Sequence, residues 1–348
     1  EISNEYNAIY ASHKIKQHAK EIIPLADARK NKLPLNWEDY KIPKPKQTGI
    51  QVFRHYDLIE IAKYIDWSPF FRTWELHGKY PEIFNDNTVG SEAKKLFTDA
   101  HHMLEKIIAE EWLQAEAVIG IFPCAAVMDD IEVYDAQTGK YTFTLHYLRQ
   151  QSKKAKGQYN ICLADFILPK DKMDLYGSPD YIGAFAVTTG IGIEQKLKEF
   201  AAHHDDYSSI MLKALADRLA EAFAELMHEK VRKEYWGYAS DESLSTEALL
   251  DEKYTGIRPA PGYPACPDHT EKETLFALLD VTGNTGIALT ESMAMHPASS
   301  VSGWYFAHPD SRYFGVGKIG EDQLNDLSKR KNMPLELIQK WLAPNRFV

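Results

Sequence analysis

The run Ile131-Glu-Val-Tyr-Asp-Ala-Gln-Thr-Gly-Lys-Tyr-Thr-Phe-Thr-Leu-His-Tyr147 decides the fold class. Ile131–Tyr134 and Tyr141–Tyr147 are rich in β-branched and aromatic residues, and the turn-forming stretch Asp135–Lys140 between them makes a hairpin. Upstream and downstream, Val118–Phe122 and Ile182–Thr188 read as further strands. A second hairpin is expected from Trp304–Ala307 and Tyr313–Val316 across His308–Ser311. Hairpins give antiparallel pairs. The helical segments fall in blocks between them, which favours α+β over a doubly wound parallel sheet.

Three helices stand out. Ser91 to Trp112 places Leu96, Ala100, Met103, Leu104, Ile107 and Ile108 on one face. Ser208 to Tyr235 steps through Leu215, Leu219, Ala222 and Leu226, and would run roughly 40 Å. Thr270-Glu-Lys-Glu273 reads as a capping box opening a helix through Leu279. Pro334 belongs in the first turn of a final helix ending near Trp341. At the other end, a polar helix over 5–23 should stop at Pro24, followed by an extended Pro- and Lys-rich connector, Leu33 to Lys46.

Composition narrows the function. The 348 residues carry a formal net charge of −10, but residues 1–55 are net +4, so the remainder holds −14. An acidic body is a poor nucleic-acid partner. The longest apolar stretch, Ala117 to Met128, is too short for a membrane span, which needs roughly twenty residues. Cys124, Cys162 and Cys266 are widely spaced and form no CxxC, which fits a reducing, cytoplasmic setting.

Candidate chemistry is sparse. Thr189-Gly-Ile-Gly-Ile-Glu-Gln195 follows a strand but has Gln195 where a third glycine belongs, so a plain turn is the better reading. His203-His-Asp-Asp206 reads as helix capping rather than a metal site, and Cys266 with His269 is no stronger. Asp217, Glu221 and Glu225 line up at i, i+4 on the long helix, by default as a solvated face and alternatively as a face turned to a cationic ligand or a partner. The densest unusual segment is Gly256-Ile-Arg-Pro-Ala-Pro-Gly-Tyr-Pro-Ala-Cys-Pro267. Its prolines stiffen the backbone and leave carbonyls free of neighbouring donors, and Arg258 offers a planar fork for a carboxylate.

Together with Tyr64-Ile-Asp-Trp-Ser-Pro-Phe-Phe71, Ala214-Leu-Ala-Asp-Arg-Leu-Ala-Glu-Ala-Phe-Ala-Glu225, His269-Thr-Glu-Lys272, Leu289-Thr-Glu-Ser292 and Val301-Ser-Gly-Trp-Tyr-Phe306, that segment resembles the C-terminal activation domain of cobalamin-dependent methionine synthase. The resemblance implies a C-shaped, non-Rossmann α+β domain around a twisted antiparallel sheet that binds S-adenosylmethionine. Its role would be methyl donation during reductive reactivation of cob(II)alamin, with the electron from a flavodoxin or equivalent reductase. Carried over by motif, Arg258 would take the ligand's carboxylate and Asp66 its ammonium, with backbone near Ala260 completing the grip. Tyr313 and Phe314 would lie against the ligand and Tyr263 would face the corrin. Glu221 and Glu252 are acidic candidates near the sulfonium or a domain interface, and Asp217 a candidate contact to the cobalamin module.

The Asp-x-His-x-x-Gly string that ligates cobalt in this family is absent from the chain. Cobalamin, and the zinc of the homocysteine module, would therefore belong to modules outside these 348 residues. On this reading residues 1–48 are the tail of an upstream cobalamin module and 49–348 the ligand-binding domain. The piece alone would not make methionine. The alternative is a stand-alone S-adenosylmethionine sensor without methyl transfer. Arg149 to Lys156 and the basic N-terminal end are the expected reductase-docking patches.

Overall fold

A computed structural model describes residues 21–347. Six strands form one antiparallel sheet: β1 (Gly49–Phe53), β2 (Gln114–Val127), β3 (Asp130–Tyr134), β4 (Tyr141–His146), β5 (Asp180–Ile191) and β8 (Ser300–Tyr305). Their order is β4-β3-β2-β5-β8, and β1 lies beside β3 on the same side of β2. Two short strands, β6 (Ala288–Leu289) and β7 (Met295–His296), pair separately. The hairpin of the opening motif is the β3–β4 pair, Ile131 opposite Leu145.

The central strands are apolar on both faces because both faces are covered. Ala117, Ile119 and Ile121 of β2 and Phe185 and Val187 of β5 pack into one core, and Val118, Phe122, Ile182, Ala184 and Ala186 into the other. Side chains that alternate across a pleat make this partition automatic. Eight helices position the site: α1 (Leu25–Lys30), α2 (Trp67–Thr73), α3 (Gly90–Ala109), α4 (Ile193–Ala202), α5 (Asp206–Lys230), α6 (Glu271–Leu279), α7 (Glu321–Lys331) and α8 (Leu335–Trp341). Helix α5 crosses the first face with Leu215, Leu219, Ala222 and Leu226 buried, and ends in a π turn, Val231–Tyr235. On the second face α6 buries Leu275, Leu278 and Leu279.

Several sequence expectations are corrected. Most of the helix expected over 5–23 lies outside the described residues, and Pro24 precedes a helix, α1, rather than ending one. Thr270 does not cap α6. It has helical backbone angles, and its hydroxyl donates to Asp268 and accepts from Lys331 instead. Tyr313–Val316 is not a strand, so the second hairpin does not form. The outer edge of β8 is taken by Ile257 and Pro259, which occupy the positions a returning strand would need. The connector is extended as expected, yet it is fastened to the body: Trp37 is buried and Trp236 Nε1 donates to the Pro43 carbonyl.

Candidate functional site

The Pro-rich segment folds against the edge of the sheet. Ile257 exchanges backbone hydrogen bonds with Phe306, and the Pro259 carbonyl accepts from Trp304 N–H at 2.9 Å. Gly303 is required there, since a Cβ would stand 2.7 Å from the Pro259 oxygen and 3.0 Å from the Phe185 ring. Gly262, at φ +95°, turns the chain directly over the His269 ring. Two of the carbonyls expected to await a ligand are used by the fold itself. Besides Pro259 O, Pro264 O accepts from Val316 N–H. By contrast, the Ala260 N–H has no partner among the described residues.

Beneath this turn lies a cavity of about 930 Å³, within the range of small-ligand sites. Arg258, Ala260, Tyr263, Tyr313, Phe314, Glu221 and Glu252 all line it, so seven of the sequence candidates converge. Asp66 is not among the lining residues. It sits at the N-terminus of α2, half-buried, with one carboxylate oxygen accepting from Ser68 N–H at 2.9 Å. Asp217 faces outward and pairs with its neighbour Arg218. Tyr263 stands at the mouth, 63% exposed.

Arg258 is held from behind. Its Nη1 meets Glu225 Oε2 at 2.6 Å, the Tyr254 hydroxyl at 3.2 Å and His228 Nδ1 at 3.4 Å. Its backbone N–H donates to the Tyr313 hydroxyl at 3.0 Å. Burial works against the guanidinium charge, but the Glu225 carboxylate with Tyr254 and Tyr313 more than offsets it and holds the pKa above its ordinary value. His228 is driven the other way by burial and by Arg232 and Arg258, well below the usual imidazole value, so it is neutral. It stacks on Tyr305. Arg258 Nε and Nη2 have no partner among the described residues, which leaves one edge of the fork for an incoming group.

The rest of the wall carries both signs. Burial raises the pKa of Glu221, opposed by Arg218 and Arg258, and likewise that of Glu252, opposed by Arg258. Lys272, buried on the wall, donates to the Met293 carbonyl at 2.9 Å, and burial lowers its pKa. Sequence reasoning missed Lys272, Tyr254 and His228, and placed Glu225 on a solvated face although it is only 4% exposed. The available signal was local: Glu225 stands among Ala222, Phe223, Ala224 and Leu226, so a helix buried all round would take the carboxylate inward with it.

The competing sites dissolve. Gly192 is a left-handed turn residue opening α4, and β5 is antiparallel to both its neighbours, so no βαβ unit surrounds it. Asp205 caps α5 by accepting from Ser208 N–H. Among the described residues no three metal-ligating side chains gather. Arg149, offered as a docking residue, is 1% exposed and paired with Asp129 and Asp165, so it cannot meet a partner's surface.

An antiparallel α+β domain with a cavity of mixed charge at its sheet edge has the form that a small-molecule-binding module needs. Residues 57–332 match the family model described as vitamin B12 dependent methionine synthase, activation domain, and the chain belongs to that family. It is also similar to the crystal structure of the MetH reactivation domain bound to AdoHcy. There the identity is 51% over 94% of this chain and 99% of that one, with a TM-score of 0.90. Family and fold are thus those the motifs implied.

Proposed function

We propose that this domain binds S-adenosylmethionine in the 930 Å³ cavity and presents its methyl group for reactivation of the B12 enzyme. The observation that carries the reading is the half-used fork of Arg258, largely buried and charged, with Nε and Nη2 unpartnered among the described residues. A carboxylate accepting both would be bound bidentately. The Ala260 N–H adds a third donor, and Asp66, outside the cavity lining, would reach the ammonium only where the ligand's amino-acid end extends beyond the cavity towards α2. Tyr313 and Phe314 flank the ligand, and Glu221 and Glu252 lie nearest its sulfonium. Support also comes from the similar MetH domain, which is bound to AdoHcy, the demethylated form of this donor.

The family's cobalt-ligating string is absent from the sequence, so cobalamin arrives on another module of the same enzyme. Cobalamin held by that module would supply, once reduced by one electron from a flavodoxin or equivalent reductase, the nucleophile for the sulfonium methyl. This chain's part is to fix the donor, orient the sulfonium and exclude water, with Tyr263 at the mouth towards the corrin and Asp217 towards the incoming module. Among the described residues no helix is long and apolar enough to cross a membrane, and a cytoplasmic setting fits the three reduced, buried cysteines.

Calorimetric titration of S-adenosylmethionine into the chain, beside Arg258→Ala, tests the reading. One-to-one binding lost in the variant is the expected result. Unchanged affinity in Arg258→Ala would move the site elsewhere. Adding the cobalamin module under reducing conditions then separates a methyl donor, which yields methylated cobalamin, from a mere sensor, which does not.

A further inference from the structure

Helix α5 is apolar along most of its length, yet it carries a polar stripe. Glu221, Glu225, His228 and Arg232 follow one another at i, i+4, i+7 and i+11, the spacing of a single helical face. Glu221 lines the cavity, and Glu225 and His228 meet Arg258. Arg232, the last of the four, does neither. It sits in the π turn at the end of the helix, 0% exposed, and lines no part of the cavity.

A buried guanidinium needs partners, and this one has two. Its Nε and Nη2 fork onto Glu242, the shortest contact being 2.7 Å, and its face lies over the Tyr254 ring, 4.2 Å from Cζ to the ring centre. His228 meets the same ring edge-on at 4.8 Å. Two side chains of the stripe thus grip Tyr254, whose hydroxyl accepts from Arg258 Nη1 at 3.2 Å. Neutralising Glu242 alone would not call for an arginine. A lysine would do it with no Nη1 left over, whereas the Nη1 of Arg232 has no hydrogen-bond partner among the described residues. What a lysine lacks is the flat face that stacks on the ring.

The Nη1 of Arg258 carries two N–H groups in the plane of its guanidinium. Held by Glu225 alone, the fork could still swing about that contact. With Tyr254 as a second fixed point from another segment, the plane is set, and with it the direction in which Nε and Nη2 face. We propose that Arg232 is a positioning residue for the donor's carboxylate: anchored on Glu242, it holds the Tyr254 ring, and the Tyr254 hydroxyl sets the plane in which Arg258 offers its free edge to the cavity. The inference rests on the S-adenosylmethionine reading and goes beyond it, since Arg232 touches no ligand.

The test compares S-adenosylmethionine with its decarboxylated form, which keeps the sulfonium and the amine, by calorimetry. The ratio of the two affinities isolates what Arg258 contributes, and Arg258→Ala should bring it close to one. Arg232→Lys keeps a cation on Glu242 and removes the flat face. The ratio should fall about fivefold, with the decarboxylated ligand unmoved. Tyr254→Phe keeps the ring between Arg232 and His228 and removes only the hydroxyl, and should lower the ratio about tenfold. Combined, the two substitutions should lower it no further than Tyr254→Phe alone, because no hydroxyl remains to be misplaced. Should Arg232→Lys not fold, Arg232→Met with Glu242→Gln reads the same ratio with no buried charge left unpaired. Losses that multiply, a ratio unchanged by the Arg232 substitutions, or equal weakening of both ligands would overturn the inference and leave the donor site standing. A ratio of one in the wild-type chain, or no binding of either ligand, would instead remove the S-adenosylmethionine reading and this inference with it.

Discussion

Two arginines withdrawn from solvent, Arg149 and Arg258, show how a fold uses the same side chain for opposite ends. Arg149 spends every nitrogen on the protein. Nε donates to Asp129 at 2.7 Å, Nη1 to the Asn160 carbonyl and Asp165, and Nη2 to Asp165 at 2.7 Å. Asp129 also accepts from Arg29 of α1, and Arg29 reaches Asp326 of α7. The result is a clamp joining the N-terminal segment, the β2–β3 turn and the C-terminal helices. Arg258 is also largely buried but spends only Nη1. A saturated guanidinium belongs to the scaffold, and one with an unused edge on a cavity is left available to a ligand.

The largest test of that contrast is Arg149→Met. Removing the guanidinium leaves buried Asp129 with only Arg29 and Asp165 with only the Cys162 N–H among the described residues, and should cost about 3 kcal/mol of stability. At roughly 2–4 °C per kcal/mol, the melting temperature should fall by about 10 °C. Ligand affinity of the folded fraction should not change. A loss below about 1 kcal/mol would mean the network is decorative, as exposed ion pairs often are.

Arg258→Lys should show the reverse. A lysine keeps a cation opposite Glu225 but loses the planar fork. Affinity for S-adenosylmethionine should drop by about 30- to 100-fold, since a lysine can still make one of the fork's two charge-assisted hydrogen bonds and the lost one is worth about 1.5–3 kcal/mol. The melting temperature should move little. Comparable affinity in calorimetry would show that one point charge suffices and that the free edge has no role.

The contrast also marks what sequence could reveal. The sheet was legible because the period of Ile131–Tyr147 and the runs at Val118 and Ile182 declare strands wherever they pack. The candidate site was legible as a candidate because the prolines around Arg258 forbid any regular element, and the loop they make lines the cavity. The failures share a cause: they depend on what covers a residue, and that partner is remote. Arg149 looked like part of a basic patch because Asp129 and Asp165 are twenty and sixteen residues away. Glu225 looked solvated because its counter-ion is 33 residues downstream. Tyr313–Val316 has strand-like residues, but the edge it would have joined is already filled by Ile257 and Pro259, and Tyr313 instead props the Arg258 backbone.

That prop gives a smaller prediction. Tyr313→Phe keeps the ring against the cavity and removes only the hydroxyl accepting from Arg258 N–H. A single neutral hydrogen bond is worth about 1 kcal/mol, so affinity should weaken by roughly fivefold, read by calorimetry. A loss as large as that of Arg258→Lys would make the hydroxyl a direct ligand contact rather than a support for the loop.

The smallest effect concerns charge rather than geometry. Burial raises the pKa of both Glu221 and Glu252, so each stays neutral to higher pH than an ordinary glutamate and is anionic only above its raised value. A sulfonium is attracted only to the ionised form, whereas the thioether of S-adenosylhomocysteine carries no charge there. The ratio of S-adenosylmethionine to S-adenosylhomocysteine affinity should therefore climb with pH across the interval above the ordinary carboxylate range, then level off once both glutamates are ionised. The amino-acid end is common to both ligands, so Arg258 cancels from the ratio. Glu221→Gln should flatten the climb by a few-fold without moving S-adenosylhomocysteine affinity. A ratio independent of pH in paired calorimetric titrations would place both carboxylates away from the sulfur, leaving the fork of Arg258 as the cavity's main electrostatic preference for its donor.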